Sequence, residues 1–190
     1  MKKILLLNGN PKIDSLCSHL SDTYEIEARE SAIVRRFDLC AMDFNPSLDC
    51  GYDEFLRLEY CLSDFTEALL WSNHIVIVLP VWWGGLPSKL KGLIDRTFLP
   101  GVTFKFETGS AVPVQLLQGK TSRLIVTMDA PVNMHTDQFK PVLEQLDRFT
   151  LQYCGVKMAK YNLFGSVVSA SEEQIVQWTE IVKELGSNCI

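Results

Sequence analysis

The chain has 190 residues, of which 47% are hydrophobic and 22% are charged. This composition excludes an intrinsically disordered chain, and the length predicts a single domain over residues 1–190. The formal net charge of −5 argues against a nucleic-acid partner, because a general nucleic-acid binder needs a basic face to displace counterions.

The apolar segments are too short for a membrane span or a secretion signal. The longest run, residues 75–83, contains Pro80 and is well below the roughly 20 residues that a helix needs to cross a bilayer. The first run, residues 4–7, is shorter than the apolar part of a signal peptide. The six cysteines lack zinc-ligand spacing, and no other metal-ligand pattern occurs. We therefore expect a cytoplasmic protein with reduced thiols, no membrane insertion and no metal site.

Apolar runs and helical patterns alternate along the chain. Runs without polar interruption predict strands covered on both faces, as in a parallel sheet, and apolar residues three and four apart predict helices with one buried stripe. In chain order these are strand 4–7, helix 18–29, strand 32–37, helix 54–70, strand 75–79, helix 87–98, strand 124–126, helix 139–153, a weaker strand 156–164 and helix 171–186.

This alternation predicts an α/β fold, a doubly wound parallel sheet with helices on both faces. Ligands of such sheets bind beyond the carboxyl ends of the strands, at the point where the strand order reverses. The loops that follow residues 7, 79 and 126 therefore form the candidate site.

The first loop, residues 8–18, carries small polar residues between a strand and a helix. Its backbone N–H groups and the positive end of the helix dipole suit a phosphate, and the hydroxyls of Ser15 and Ser18 add donors. The loop matches neither the dinucleotide fingerprint nor the nucleotide triphosphatase loop. A turn whose side chains only cap the helix is the open alternative.

The second loop, residues 80–96, places Trp82 and Trp83 beside two glycines. Successive side chains of an extended segment point in opposite directions, so both indoles cannot enter one core. Large planar side chains and an accessible glycine backbone suit a flat heteroaromatic ring, which we favour over two tryptophans buried under the loop.

The pattern Pro-x-x-Trp-Gly-Gly-x-Pro-Ser-x-Leu-Lys-Gly-x-Ile-Asp-Arg-x-Phe at residues 80–98 resembles the signature of the flavodoxin-like NAD(P)H:quinone oxidoreductase family. That family includes mammalian quinone reductases, drug-activity modulator B proteins and ancillary reductases of potassium efflux. Weaker similarities cover Gly9-Asn10-Pro11 with Ser15-Leu16, Asp38-Leu39 with Phe44-Asn45-Pro46, and residues 148–155. The resemblance spans nearly the whole chain.

The resemblance implies a flavodoxin-like five-stranded sheet in the order 2-1-3-4-5 and a homodimer in which residues 98–106 contribute to a pocket at the interface. It implies that the first loop surrounds the flavin phosphate and that the other two loops line the isoalloxazine. FMN is favoured over FAD because the chain is shorter than FAD-binding members. The implied cofactor residues are Asn10, Ser15, Leu16, Cys17, Pro80, Val81, Trp82, Trp83, Gly84, Thr127, Met128, Asp129 and Ala130.

The chain departs from the family's pattern at two points, the first being Asn10, which stands where the family usually has a histidine, and the second lying in the third loop. Asp129 and Ala130 replace two glycines, and a carboxylate at the ring would repel negative charge on the reduced flavin, by roughly 3 kcal/mol at about 5 Å and an effective dielectric near 20. The alternative is an Asp129 turned away into a hydrogen bond of the turn. Family members handle a proton near this loop with a tyrosine and a histidine; here only His135 is present as a catalytic candidate.

The resemblance therefore implies an enzyme that transfers hydride from NADH or NADPH through flavin N5 to a quinone or a similar aromatic acceptor. Two other functions stay open at this point. One is a regulatory flavoprotein subunit that docks on a membrane transporter, as one branch of the family does. The other is a one-electron carrier of the flavodoxin type, although the first loop lacks that type's threonine-rich pattern.

Overall fold

The computed structural model describes residues 1–53, 57–134 and 138–190. These residues include seven strands and five α-helices, and the fourth α-helix, Lys140–Leu143, continues directly into a π-helical segment, Glu144–Gln152. The strands are β1 Lys2–Asn8, β2 Ala32–Asp38, β3 His74–Pro80, β4 Phe104–Lys105, β5 Val114–Gln115, β6 Thr121–Thr127 and β7 Lys160–Phe164. The helices are α1 Leu16–Ala28, α2 Tyr60–Trp71, α3 Ser88–Thr97, α4 Lys140–Leu143 and α5 Glu172–Ser187.

Five of the strands form one parallel sheet in the order β2-β1-β3-β6-β7. Counting only these five strands, the order is 2-1-3-4-5, so the expected doubly wound topology is confirmed. The strand order reverses beside β1, between β1 and β3, which places the ends of these two strands at the expected ligand crevice. β4 and β5 form a separate antiparallel pair that the sequence did not predict, because each strand has only two residues.

Each face of the sheet is covered by its own helices, which explains the long apolar runs of the central strands β1 and β3. On β1, Leu5 and Leu7 pack with α2, α3 and the helix around α4, whereas Ile4 and Leu6 pack with α1 and α5. All four side chains are buried. A strand buried on both faces cannot show the alternation of polar and apolar residues that marks a half-exposed strand.

Three predicted elements differ from the structure by three or more residues at their amino-terminal ends, and one of them is β6, which begins at Thr121 and not at residue 124. Helix α2 begins at Tyr60 rather than at residue 54; residues 54–56 lie outside the described part of the chain. Leu58 packs against the core from a non-helical segment and so mimics a helical stripe. Strand β7 begins at Lys160 rather than at residue 156, because the N–H of Ala159 donates to the carboxylate of Asp147 instead of joining the sheet.

A buried histidine lies at the opposite end of the sheet from the three loops. His74 begins β3, and its Nδ1 lies 2.7 Å from Thr121 Oγ1. Burial, with smaller contributions from the nearby charges of Lys2 and Arg123, lowers the pKa of His74 from 6.5 to about 3.

Because the pKa of His74 is lowered in the folded protein, we expect the protein to lose stability in mild acid. Below pH 6.5 the unfolded chain takes up a proton that the folded chain refuses until about pH 3, so stability falls as the pH drops through this window. At pH 5 the loss relative to pH 7.5 amounts to about 2 kcal/mol. Urea denaturation at the two pH values checks this, since His74→Gln should remove that difference and His19→Gln, at an exposed helix position, should leave it. An equal acid response in the wild type and His74→Gln would contradict the assignment.

Candidate functional site

The first loop presents free backbone N–H groups at the start of α1. Ser15 caps the helix, and its Oγ accepts a hydrogen bond of 3.2 Å from the N–H of Ser18. Within the described residues, no other residue accepts a hydrogen bond from the N–H groups of Leu16 and Cys17, which belong to the first helical turn. These two donors and the helix dipole can bind one phosphate group.

Asn10 shapes this loop rather than projecting from it. Its side chain is buried, its N–H donates to Asn8 Oδ1 at 3.2 Å, and its Oδ1 accepts from the N–H of Lys12 at 3.0 Å. Both hydrogen bonds join residues two positions apart, as in Asx turns.

Cys17 connects the first loop to the third. Its Sγ lies 3.3 Å from Thr127 Oγ1 at the end of β6, and both side chains are buried. Burial raises the pKa of the Cys17 thiol, an effect that hydrogen bonds with Thr127 and Asn10 only partly offset. The thiol therefore stays protonated and structural, and the backbone N–H is the group of Cys17 that can meet an anion.

The second loop turns back tightly after β3. The N–H of Trp82 donates to the carbonyl of Gly85 at 3.0 Å, and the N–H of Gly85 donates to the carbonyl of Trp82 at 2.9 Å. Trp83 and Gly84 between them have φ of 53° and 67°, as in a type I′ turn. The Trp83 side chain is fully exposed and Trp82 is 44% exposed, so the alternative of two buried tryptophans is wrong.

The left-handed backbone of Trp83 is strained. A residue other than glycine in this region costs about 1 kcal/mol or more, and such strain concentrates at functional sites. The neighbouring Val81 is fixed to the third loop, because its N–H donates to the carbonyl of Thr127 at 2.8 Å. The turn therefore holds an exposed indole at the carboxyl end of β3.

The third loop holds its acidic residue in a hydrogen bond. Asp129 Oδ1 accepts from the N–H of Val168 at 3.2 Å, and the carbonyl of Ala130 accepts from Ser166 at 3.1 Å. Asp129 is therefore held by a segment 39 residues away and not by a hydrogen bond within its own turn, and it still lines the cavity described below. Met128 is buried, with its N–H donating to the carbonyl of Phe164 at 2.9 Å.

The second and third loops border one cavity of about 740 Å³. This volume lies within the range of small-molecule and cofactor sites. Of the predicted ring-binding residues, Pro80, Trp82, Thr127 and Met128 do not line it. The residues that line it are Val81, Trp83, Gly84, Asp129, Ala130, Pro131 and Gln138. His135 lies outside the described residues.

A second cavity, of about 500 Å³, lies against α3 and the π-helical segment. Aromatic side chains dominate its wall, and the Lys91–Asp95 ion pair lies at its edge. The predicted segment 98–106 contributes Phe98, Phe104 and Phe106 to this wall. The other aromatic residues of the wall, which the sequence did not indicate, are Tyr52, Phe149 and Tyr153.

Within the described ranges, no group of three or more potential ligands is placed to hold a metal ion. In the same part of the chain, no helix combines the length and the apolar character needed to cross a bilayer.

Comparisons with known proteins agree with this geometry. The model of the flavodoxin-like fold family, Flavodoxin_2, matches residues 2–185. Ribosyldihydronicotinamide dehydrogenase (quinone) of Pongo abelii is 30% identical over 94% of this chain and 90% of its own. An FMN-dependent NADH:quinone oxidoreductase of Beijerinckia indica subsp. indica is 32% identical over 59% of this chain and 63% of its own. The NAD(P)H:quinone oxidoreductase from Methanothermobacter marburgensis superimposes with a TM-score of 0.78 at 16% identity, covering 98% of both chains.

Some matches are partial: the chain spans 66% and 56% of the length of two other curated relatives, both bacterial NAD(P)H oxidoreductases. The family match is not partial, since it runs from β1 into α5. The expected fold and the family resemblance are both confirmed, and the chain belongs to the flavodoxin-like fold family.

Proposed function

We propose that this chain is an FMN-dependent NAD(P)H oxidoreductase that reduces a quinone or a similar flat aromatic acceptor. The observation that carries the proposal is the meeting of three loops at one edge of the sheet. One loop offers two N–H groups at a helix start that donate to no other residue in the described part of the chain, and the other two loops border an open cavity beside the exposed Trp83. The quinone-reducing activities named for the relatives support the same reading.

The residues present fit FMN. The N–H groups of Leu16 and Cys17 would bind its phosphate at the positive end of α1, and Ser15 would add a hydroxyl donor. The second loop would hold the ring, with backbone groups of Val81 and Gly84 and the planar side chain of Trp83.

Bound FMN supplies the hydride chemistry between nicotinamide and acceptor, and the protein supplies orientation. Donor and acceptor would both have to stack on the exposed face of the ring, so we propose that they bind in turn, in a ping-pong cycle. His135 stays the proposed proton-transfer residue.

The experiment is the absorption spectrum of the purified protein, recorded without oxygen. We expect the blue and near-ultraviolet bands of flavin, bleached by NADH or NADPH and restored by a quinone. Apoprotein prepared by removing the flavin should regain the bands with added FMN. A colourless preparation that takes up no FMN would overturn the proposal.

We also propose a cytoplasmic homodimer in which residues 1–190 form a single flavin-binding domain. All six cysteines are free thiols, as a reducing compartment would keep them. The dimer would bury the aromatic cavity beside α3, where Tyr52, Phe106 and Phe149 are 56–64% exposed. Clustered exposed aromatic side chains are typical of protein interfaces.

A charge placed in this aromatic surface should separate the dimer. Phe149→Asp buries a carboxylate without a partner at the interface, and we expect a dimer to become mostly monomer at micromolar concentration. Light scattering after size-exclusion chromatography measures the mass. Val168→Asp introduces the same charge at an exposed apolar position beside α5 and should leave the mass unchanged. If Phe149→Asp remains a dimer, this surface is not the interface.

A further inference from the structure

Asn8 is a fully buried amide at the last position of β1, outside the residues that the family resemblance assigns to the cofactor. It pairs in register with Asp38, the last residue of β2. Its Nδ2 donates to Asp38 Oδ1 at 3.0 Å, and its Oδ1 accepts the N–H of Asn10 at 3.2 Å. Both polar atoms of the side chain are therefore occupied.

Asp38 fixes which way the Asn8 amide points. An ionised carboxylate only accepts hydrogen bonds, so it must face the NH₂ group of Asn8, which leaves the amide oxygen for the first loop. Arg36 holds Asp38 in place, because its Nε and Nη2 atoms donate hydrogen bonds to the two carboxylate oxygens at 2.9 Å each. Two donors in a fork give this pair a defined orientation.

Arg36 also partly neutralises two further carboxylates near Asp38. It contacts Glu25 at 2.9 Å and Asp22 in addition to Asp38. Burial alone would lower the pKa of the Arg36 guanidinium, but the hydrogen bonds to Asp38, Asp22 and Glu25 outweigh that effect and raise the pKa.

The hydrogen bond between Asn8 and Asn10 is followed by further hydrogen bonds along the first loop. Once Asn10 is held through its N–H, its own Oδ1 accepts from the N–H of Lys12 at 3.0 Å. Further along the loop, the hydroxyl of Ser15 accepts a hydrogen bond from the N–H of Ser18. These bonds use the N–H groups of Asn10, Lys12 and Ser18, whereas no other residue in the described ranges accepts from those of Leu16 and Cys17, which can therefore meet an anion.

We propose that Asn8, oriented by Asp38, is a positioning residue that sets the first loop in the conformation that binds the phosphate of the cofactor. The inference rests on the proposed function. Asn8 does not touch the phosphate; it acts through the backbone of Asn10. Its loss therefore weakens recognition of the phosphate and leaves recognition of the ring unchanged.

The test compares FMN with riboflavin, which has the ring but no phosphate. Dissociation constants are measured on apoprotein by quenching of flavin fluorescence. For Asn8→Leu, a change of similar volume, we expect the constant for FMN to rise about tenfold or more, as the loss of one orienting hydrogen bond allows, with riboflavin unchanged. Thr97→Val, which removes a buried hydroxyl on α3, should leave both constants unchanged.

For the Asp38→Asn variant, the positioning role and a purely electrostatic role of Asp38 predict opposite changes in the affinity for FMN. An uncharged side chain allows the Asn8 amide to turn over, so positioning predicts weaker FMN binding. If Asp38 acted only through its charge, removing that charge would tighten FMN binding. Tighter binding, or equal losses for both flavins in Asn8→Leu, would overturn the positioning role. A wild-type protein that binds neither flavin overturns the proposed function, and the positioning role with it.

Discussion

Asn10→Asp is expected to raise the dissociation constant for FMN about 100-fold while leaving riboflavin binding unchanged. The substitution keeps the shape of the side chain and the acceptor that Lys12 uses, so the loop retains its turn. It adds a negative charge beside the N–H groups of Leu16 and Cys17. At a separation of about 6 Å and an effective dielectric near 20, two unit charges repel by about 3 kcal/mol, which corresponds to about two orders of magnitude in affinity.

The measurement is a fluorescence titration of apoprotein with each flavin, and Asn10→His is the control. Histidine is the family's usual residue at this position and carries no negative charge, so its constant for FMN should stay within about tenfold of the wild type. The effect of Asn10→Asp should also shrink at high salt, since ions screen the repulsion. Unchanged FMN binding by Asn10→Asp would place the phosphate away from the start of α1.

The sheet could be predicted because its three central strands, β1, β3 and β6, are buried on both faces. The uninterrupted apolar runs of β1, β3 and β6 have no other common explanation in a chain of this size, and the intervening helical patterns leave little choice of topology. The first residues of the helices and strands could be predicted less accurately. Leu58 fits a helical stripe although it lies outside α2, because burial in the core depends on tertiary packing and not on helical geometry.

The three loops of the site were predictable from position, but their internal geometry was not. The rule that ligands meet the carboxyl ends of strands locates the loops without reference to any side chain. In contrast, the orientation of Asn8 depends on Asp38, 30 positions away in the sequence. No local pattern of the first loop carries that information. The same holds for Asp129, whose partner Val168 lies beyond the next strand of the sheet.

Two pieces of the family resemblance that are far apart in sequence touch in the structure. The segment Phe44-Asn45-Pro46 lies against α3, which carries most of the specific pattern at residues 80–98. The Arg96 guanidinium is buried and donates to the carbonyl of Asn45, and it also pairs with Glu59 at 2.8 Å. Glu59 in turn accepts the N–H of Asn45 at 3.0 Å. The conformation of the segment Phe44-Asn45-Pro46 and that of α3 are therefore each restricted by contact with the other.

Gly92 is the point of closest contact between these segments, and Gly92→Ala should lower the free energy of unfolding by about 2–3 kcal/mol. A Cβ at this position would lie 2.6 Å from the carbonyl oxygen of Pro46 and 2.7 Å from its Cα. Backbone atoms cannot move aside as a flexible side chain can, and Arg96 holds the adjacent residue. Helix propensity alone predicts the opposite sign, a gain of up to about 1 kcal/mol for alanine over glycine inside α3.

Urea denaturation decides between these two signs. Ser88→Ala, at an exposed position of the same helix, adds no atom near residues 44–46 and should change the free energy of unfolding by less than about 0.5 kcal/mol. A Gly92→Ala variant at least as stable as the wild type would mean that this segment yields to the new methyl group. A loss of stability with an unchanged dependence on urea would instead establish the contact as a structural reason for glycine in the pattern, separate from any contact with the cofactor.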